Sequence, residues 1–271
     1  MTEDWRSGAR DMLVVLLTVT TGAVDAAAFL HLGHVFSSVV TGTMVLLGVA
    51  AGTHDPALAE NCGVALASYV AGVLIGAPLA ARRAGRWLEG WRGRRPHAAT
   101  VLREIWPSWL TAALALEFCV LVVFCVGWEL SGGRPAGAAQ LMLLASAGIA
   151  MGIQGATVRQ LGEVSTTYLT GTLTGVLAGL VTGRKPNGLG RSLGIFVALI
   201  VGACASAVVT AYVPALLPLV VLFPLALVVW FASARFGPRP GWPGTRTGPD
   251  HGESERTGLR GESADPGPGS G

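Results

Sequence analysis

Met12 to Leu32 reads MLVVLLTVTTGAVDAAAFLHL, an apolar run of 21 residues with one carboxylate, Asp25, as its fourteenth residue. A helix needs about 20 predominantly apolar residues to cross a bilayer, so this run reads as a membrane helix. A cleaved secretory signal is the competing reading, because Ala26 to Ala28 mimic a cleavage site. The acidic start (Glu3, Asp4, Asp11) and Asp25 itself argue against it. Five further runs are long enough to cross: Glu60 to Ala81, Trp109 to Leu130, Ala138 to Val158, Ser192 to Val213 and Ala215 to Ala234. Two shorter ones, Val35 to Gly52 and Val164 to Gly183, are interrupted by Thr-Gly-Thr and rich in Ser, Thr and Gly.

Composition agrees with this patterning. The 271 residues are 51% hydrophobic and 13% charged, where a soluble domain carries about 25% charged residues. The last 37 residues, Arg235 to Gly271, hold ten Gly, six Pro and ten charges, which predicts a disordered tail (235–271) behind a membrane domain (1–234). Net charge is +3 with the basic residues in short clusters, which is no footprint for nucleic acid. The four cysteines stand in apolar runs without metal-ligand spacing, so they read as packing residues and no metal or cofactor is expected.

The chain also matches itself. At a shift of 129, Ala27, Leu32, Gly33, Val35, Thr41, Gly42 and Thr43 fall on identical residues, from Ala156 to Thr172, which is seven identities in 21 positions. Asp25 falls on Gln154, and Ser37-Ser38 on Thr166-Thr167. The expected organisation is a first repeat (about 12–81), a linking helix (109–130), a second repeat (138–213) and a last helix (215–234). Seven Arg between Arg82 and Arg103 place that loop in the cytoplasm by the positive-inside rule. If the two Thr-Gly-Thr runs dip in and return on one side, six crossings keep every basic cluster inside and the halves run in opposite senses, the plan of many secondary transporters. Eight crossings are the alternative and violate the charge rule at Arg184, Lys185 and Arg191.

An intramembrane carboxylate costs about 2.5 to 3.5 kcal/mol on insertion scales, so Asp25 should face protein or a water-filled cavity. Two readings stay open for it: lining a site, where it binds a cation or relays a proton, or accepting a structural hydrogen bond. Gln154, its repeat mate, keeps polarity without charge. Thr41-Gly42-Thr43 and Thr170-Gly171-Thr172, with Thr167 beside the second, place hydroxyls next to a glycine that permits close backbone approach, for packing or for a site. Glu117 lies inside the Trp109 run and is a proton-coupling candidate if buried, with an interfacial or helix-paired carboxylate as the plainer reading. Arg159 and Glu163 fit an ion pair or a cytoplasmic anchor, and His31 and His34 a membrane boundary. Trp87, Trp91, Trp106, Trp109, Trp128 and Trp230 fit interfacial belts. No catalytic motif is present, so no enzymatic activity is expected.

Gly22-Ala23-Val24-Asp25-Ala26, Leu32-Gly33-His34-Val35-Phe36 and Thr41-Gly42 resemble the opening signature of the YoaK family (DUF1275) of bacterial membrane proteins of unknown function. Ala150 to Ala156, Arg159 and Ser165 to Thr174 are similar to its second signature, and the likeness covers roughly residues 12 to 232. The family usually has Asn after the first Thr-Gly, where this chain has Thr43. The resemblance implies a multi-pass protein of the bacterial inner membrane. The expected function is a secondary transporter or permease-like protein for a small solute, proton-coupled through Asp25 or Glu117, with the lipid bilayer as its medium and a homo-oligomer left open. The competing expectation is a scaffold or regulator that acts through the Arg-rich loop and the tail.

Overall fold

The computed structural model describes residues 2–91, 108–160, 174, 177–179, 181 and 189–236, and the side chains of 11–78, 110–159 and most of 190–233. Seven α-helices are described: α1 (Thr2–His31), α2 (Val40–Thr53), α3 (Pro56–Trp91), α4 (Ser108–Leu130), α5 (Ala138–Gln160), α6 (Leu189–Tyr212) and α7 (Leu217–Phe236), with a 3-10 turn at Pro214–Leu216. All except α2 are long and apolar enough to cross a membrane, and there is no strand among the described residues. The protein is a polytopic helical membrane protein. Its outer surface agrees: Val45, Leu74, Val123, Met142, Leu219 and Trp230 are exposed, and an apolar exterior of that extent is stable only against lipid.

Two helices are central. The spans of α1 and α5 are 67% buried, against 28–39% for the other four. α1 packs along α6 and α5 along α3, while α4 sits against α5 and α7. The two central pairs close on glycine. A methyl group on Gly22 would stand 2.2 Å from the Leu199 carbonyl oxygen, and one on Gly202 would stand 2.1 Å from that of Val19. In the other pair, a methyl group on Gly152 would stand 2.2 Å from the Tyr69 carbonyl oxygen and one on Gly72 2.2 Å from that of Ile149. Only a missing side chain lets backbones approach so closely.

Helix ends reveal the sense of each span. Gly33, just past the end of α1, lies on the side chain of Asn61 near the start of α3, where a methyl group would overlap Asn61 Nδ2 at 2.1 Å. Gln140 near the start of α5 donates to Asn61 Oδ1 at 3.4 Å. His31 meets the Trp128 ring edge-on at 5.3 Å, and Trp128 Nε1 donates to the Pro214 carbonyl oxygen at 2.9 Å. The ends of α1, α4 and α6 and the starts of α3, α5 and α7 therefore share one side of the bundle. α1 and α3 run in opposite senses, so α2 between them makes no net crossing. At 14 residues it is about 21 Å long at 1.5 Å per residue, short of the roughly 30 Å hydrocarbon core. By the same logic the end of α5 and the start of α6 share the opposite side.

Trp128 corrects the belt expectation. It is fully buried, because its ring packs on His31 and Phe124 and its N–H is taken by Pro214. Trp230 is exposed, as a belt requires, and the side chains of Trp87, Trp91, Trp106 and Trp109 lie outside those described. Cys62 and Cys125 are buried, Cys119 and Cys204 exposed, and none is paired.

Candidate functional site

The segment between α1 and α2 turns back into the bundle. Gly33 (φ +99°) and His34 (φ +60°) reverse the chain, Val35 is buried, and Phe36 stacks on Phe29 at 5.0 Å. Ser37 and Ser38 then reach Asp25. Its Oδ1 accepts from Ser37 N (2.8 Å), Ser37 Oγ (2.7 Å) and Ser38 N (2.8 Å), and Oδ2 accepts from Ser38 Oγ. Asp25 stands six residues before His31, so the chain has descended about 9 Å along α1 before α2 begins. An ionised carboxylate accepts about four hydrogen bonds, and here all four come from one re-entrant segment.

One turn below, Thr21 donates to the Leu17 carbonyl oxygen (3.0 Å) and to Gln154 Oε1 (2.7 Å), while Gln154 Nε2 donates to Leu17 O (3.4 Å). The structure thus sets Thr21, one turn from Asp25 on α1, against Gln154 of α5. Beside it opens a cavity of about 470 Å³. Thr21, Asp25 and Ser38 form its polar wall, and Phe29, Phe36, Leu199, Ala203 and Cys204 are among its apolar lining.

The first Thr-Gly-Thr motif is divided. Thr43 is buried and donates to the carbonyl oxygens of Phe36 (3.0 Å) and Val39 (3.2 Å), which ties the first turn of α2 to the re-entrant chain. Thr41 is exposed. Gly42 allows no close backbone approach, for a methyl group there would meet only the side chains of Val39 (3.3 Å) and Phe36; the close approaches are at Gly22, Gly72, Gly152 and Gly202 instead. Thr167, Thr170, Gly171, Thr172 and Glu163 lie outside the described residues. Arg159 is exposed at the end of α5, and His34 is exposed in the turn.

Glu117 stands apart from this site. It is fully buried on the inner stripe of α4, and neither carboxyl oxygen has a hydrogen-bond partner among the described residues. The described residues contain no group of three His, Cys, Asp or Glu placed to hold a metal. Sequence reasoning missed Thr21, Ser37 and Ser38 as partners of the site, and Cys204 in the cavity wall. The Ser-Ser pair ahead of a short apolar helix was the available signal, since adjacent N–H and O–H donors need an acceptor once buried.

No solved structure matches the chain. The UPF0700 transmembrane protein YoaK of Bacillus subtilis (strain 168) is similar to it, 34% identical over 165 residues, or 60% of this chain. The matched region spans 64% of that relative, just under two thirds of its length. The family model described as "Protein of unknown function (DUF1275)" matches residues 13–231. With the match running from α1 to α7, this chain belongs to the DUF1275 family.

Proposed function

We propose that the protein is a permease-like secondary transporter of the bacterial cytoplasmic membrane that moves a small solute, with its site at the cavity beside Asp25 and the re-entrant segment. The observation that carries this reading is a cavity of ligand size, within the usual 300 to 1,000 Å³ or so, placed where an unwound segment enters the bundle. Secondary transporters put their sites at such breaks, because non-helical backbone is tolerated at membrane depth only where protein or a cavity satisfies it. A mostly apolar wall with one carboxylate and two hydroxyls suits a small amphipathic solute that carries a hydrogen-bonding or cationic group.

Glycine register supports two inverted halves as the frame for such movement. Gly22 and Gly152 are 130 residues apart, as are their partners Leu199 and Tyr69 in crossed order; Gly202 and Gly72, with Val19 and Ile149, repeat the relation. The offset is one residue from that of the Thr-Gly-Thr motifs. α1 and α5 run in opposite senses, as do α3 and α6, so the two glycine contacts are related as an inverted repeat requires.

The test uses the full chain in proteoliposomes, with Cys62, Cys119 and Cys125 replaced and Cys204 kept as a reporter in the cavity wall. A transported solute should accumulate in the vesicles and slow maleimide labelling of Cys204. A broad panel of metabolites that shows neither uptake nor protection would reject the proposal.

A further inference from the structure

The inner face of α4 is an apolar stripe with one exception. Leu110, Leu114, Leu121, Phe124 and Trp128 recur at helical spacing with no exposure at all, and Glu117 occupies the same stripe, equally buried. Besides Glu117, only Ser206 Oγ is a buried side-chain oxygen or nitrogen without a partner among the described residues. Among the described side chains, none packed against α4 near Glu117 offers a counter-charge; His31, which meets Trp128, lies eleven residues further along the helix, about 16 Å away at 1.5 Å per residue. α7 has no ionisable side chain from Leu217 to Ser233, and α5 has none before Arg159 at its far end. Within its span α3 brings Cys62 and Tyr69, with Glu60 near its start, and α4 itself adds Cys119, Cys125 and Glu129. None of these is basic.

An ionised carboxylate with neither donor nor cation in an apolar interior is expensive, and such a group neutralises instead. A metal cation fits no better, because hard cations need several oxygen ligands and no acidic cluster surrounds this one. A proton is the ligand that the site can hold. Asp25 differs, since its two oxygens accept four hydrogen bonds from the re-entrant segment, donors that Glu117 lacks.

Depth connects Glu117 with the cavity. A methyl group on Gly127 of α4 would touch Leu143 Cδ2 of α5 at 2.7 Å, and α4 and α5 are antiparallel neighbours. Ten residues back along α4 and ten forward along α5, Glu117 comes level with Ile153, beside the Gln154 that bonds to Thr21 in the cavity wall.

We propose that Glu117 is the proton-binding site of this protein, a neutral acid in the structure described, and that Asp25 is a fixed acceptor rather than a proton carrier. Its coupling to solute movement rests on the transport reading above, but proton binding itself does not. The first test treats the full chain in lipid nanodiscs with dicyclohexylcarbodiimide, an apolar reagent for protonated carboxyls, followed by peptide mass spectrometry. The adduct should form on Glu117 at neutral pH, decline as pH rises, vanish in Glu117→Gln and persist in Asp25→Asn. An infrared carbonyl band of a protonated acid should be lost in Glu117→Gln alone. Absence of both adduct and band from the unmodified protein at neutral and acidic pH would overturn the proposal, as would an adduct on Asp25 in place of Glu117. In proteoliposomes, Glu117→Gln should lose accumulation driven by a pH gradient and keep solute exchange. Accumulation equal to the unmodified protein's would refute coupling through Glu117, whereas an unmodified protein that moves no solute would defeat the transport reading and leave the labelling result standing.

Discussion

Asp25 commits both carboxylate oxygens to holding Ser37 and Ser38 inside the bundle. Of the two roles open for it in the sequence, the bonded acceptor is the one with named partners. Asp25→Leu strands the buried N–H and hydroxyl of Ser37, each costing about 1 to 3 kcal/mol, and the part-buried N–H and hydroxyl of Ser38. Membrane abundance and the unfolding midpoint in detergent should both fall. Asp25→Asn keeps one acceptor oxygen and should lose less. Because the Ser37 hydroxyl bonds to this carboxylate, Ser37→Ala should cost about 1 kcal/mol in the unmodified protein and much less on the Asp25→Leu background, a coupling that a double-mutant cycle measures. Additive losses would show that the serines owe their place to something other than Asp25. Thr21 was hidden in the sequence because threonines on apolar helices usually bond back to their own carbonyls, as Thr18 does to Val14 and Thr157 to Ile153. Thr21 makes that bond and a second one across to Gln154.

The helices themselves depend on which glycines meet a neighbour. Gly152→Ala places a methyl group 2.2 Å from the Tyr69 carbonyl oxygen and 2.9 Å from Gly72 Cα, so α3 and α5 must separate. That overpacking should cost about 1 to 3 kcal/mol. Gly48 and Gly63 have nothing within 4 Å of an added methyl group, and alanine there should be neutral or stabilising by up to about 1 kcal/mol through helix propensity. Thermal unfolding of the purified variants in one detergent checks both directions at once. Equal effects at Gly152 and Gly63 would contradict the packing account. α2 ends where His54 takes the left-handed conformation after Thr53, and Asp55 accepts from Leu58 N at 3.0 Å to cap α3, with Pro56 as its first residue, where the missing N–H costs nothing.

At the scale of the whole molecule, the shared side of the α1, α4 and α6 ends and the α3, α5 and α7 starts predicts an accessibility map. With the native cysteines replaced, Asp55→Cys and Arg134→Cys should react with an impermeant maleimide added outside intact cells. Arg92→Cys, Asn187→Cys and Glu253→Cys should react only after the cells are opened. Labelling of Asn187→Cys from outside, with Arg92→Cys still protected, would refute six crossings. The sequence by itself determined the six spans and the short apolar helix after the first of them, because apolar length is set by transfer from water to lipid and needs no tertiary contact. It also singled out Asp25, Gln154 and Glu117, since polar groups in an apolar run are conspicuous wherever the helix faces. Only the tertiary structure decided what those groups do. Residues 12 apart, Asp25 and Ser37, meet because two left-handed residues turn the chain back on α1. Thr21 and Gln154 meet across 133 positions because α1 and α5, the two most buried spans, come together inside the bundle. Glu117 has no partner among the described residues because of which face of α4 turns inward and what the neighbouring spans lack. Contacts between distant positions follow from packing geometry, which pattern along one chain does not encode.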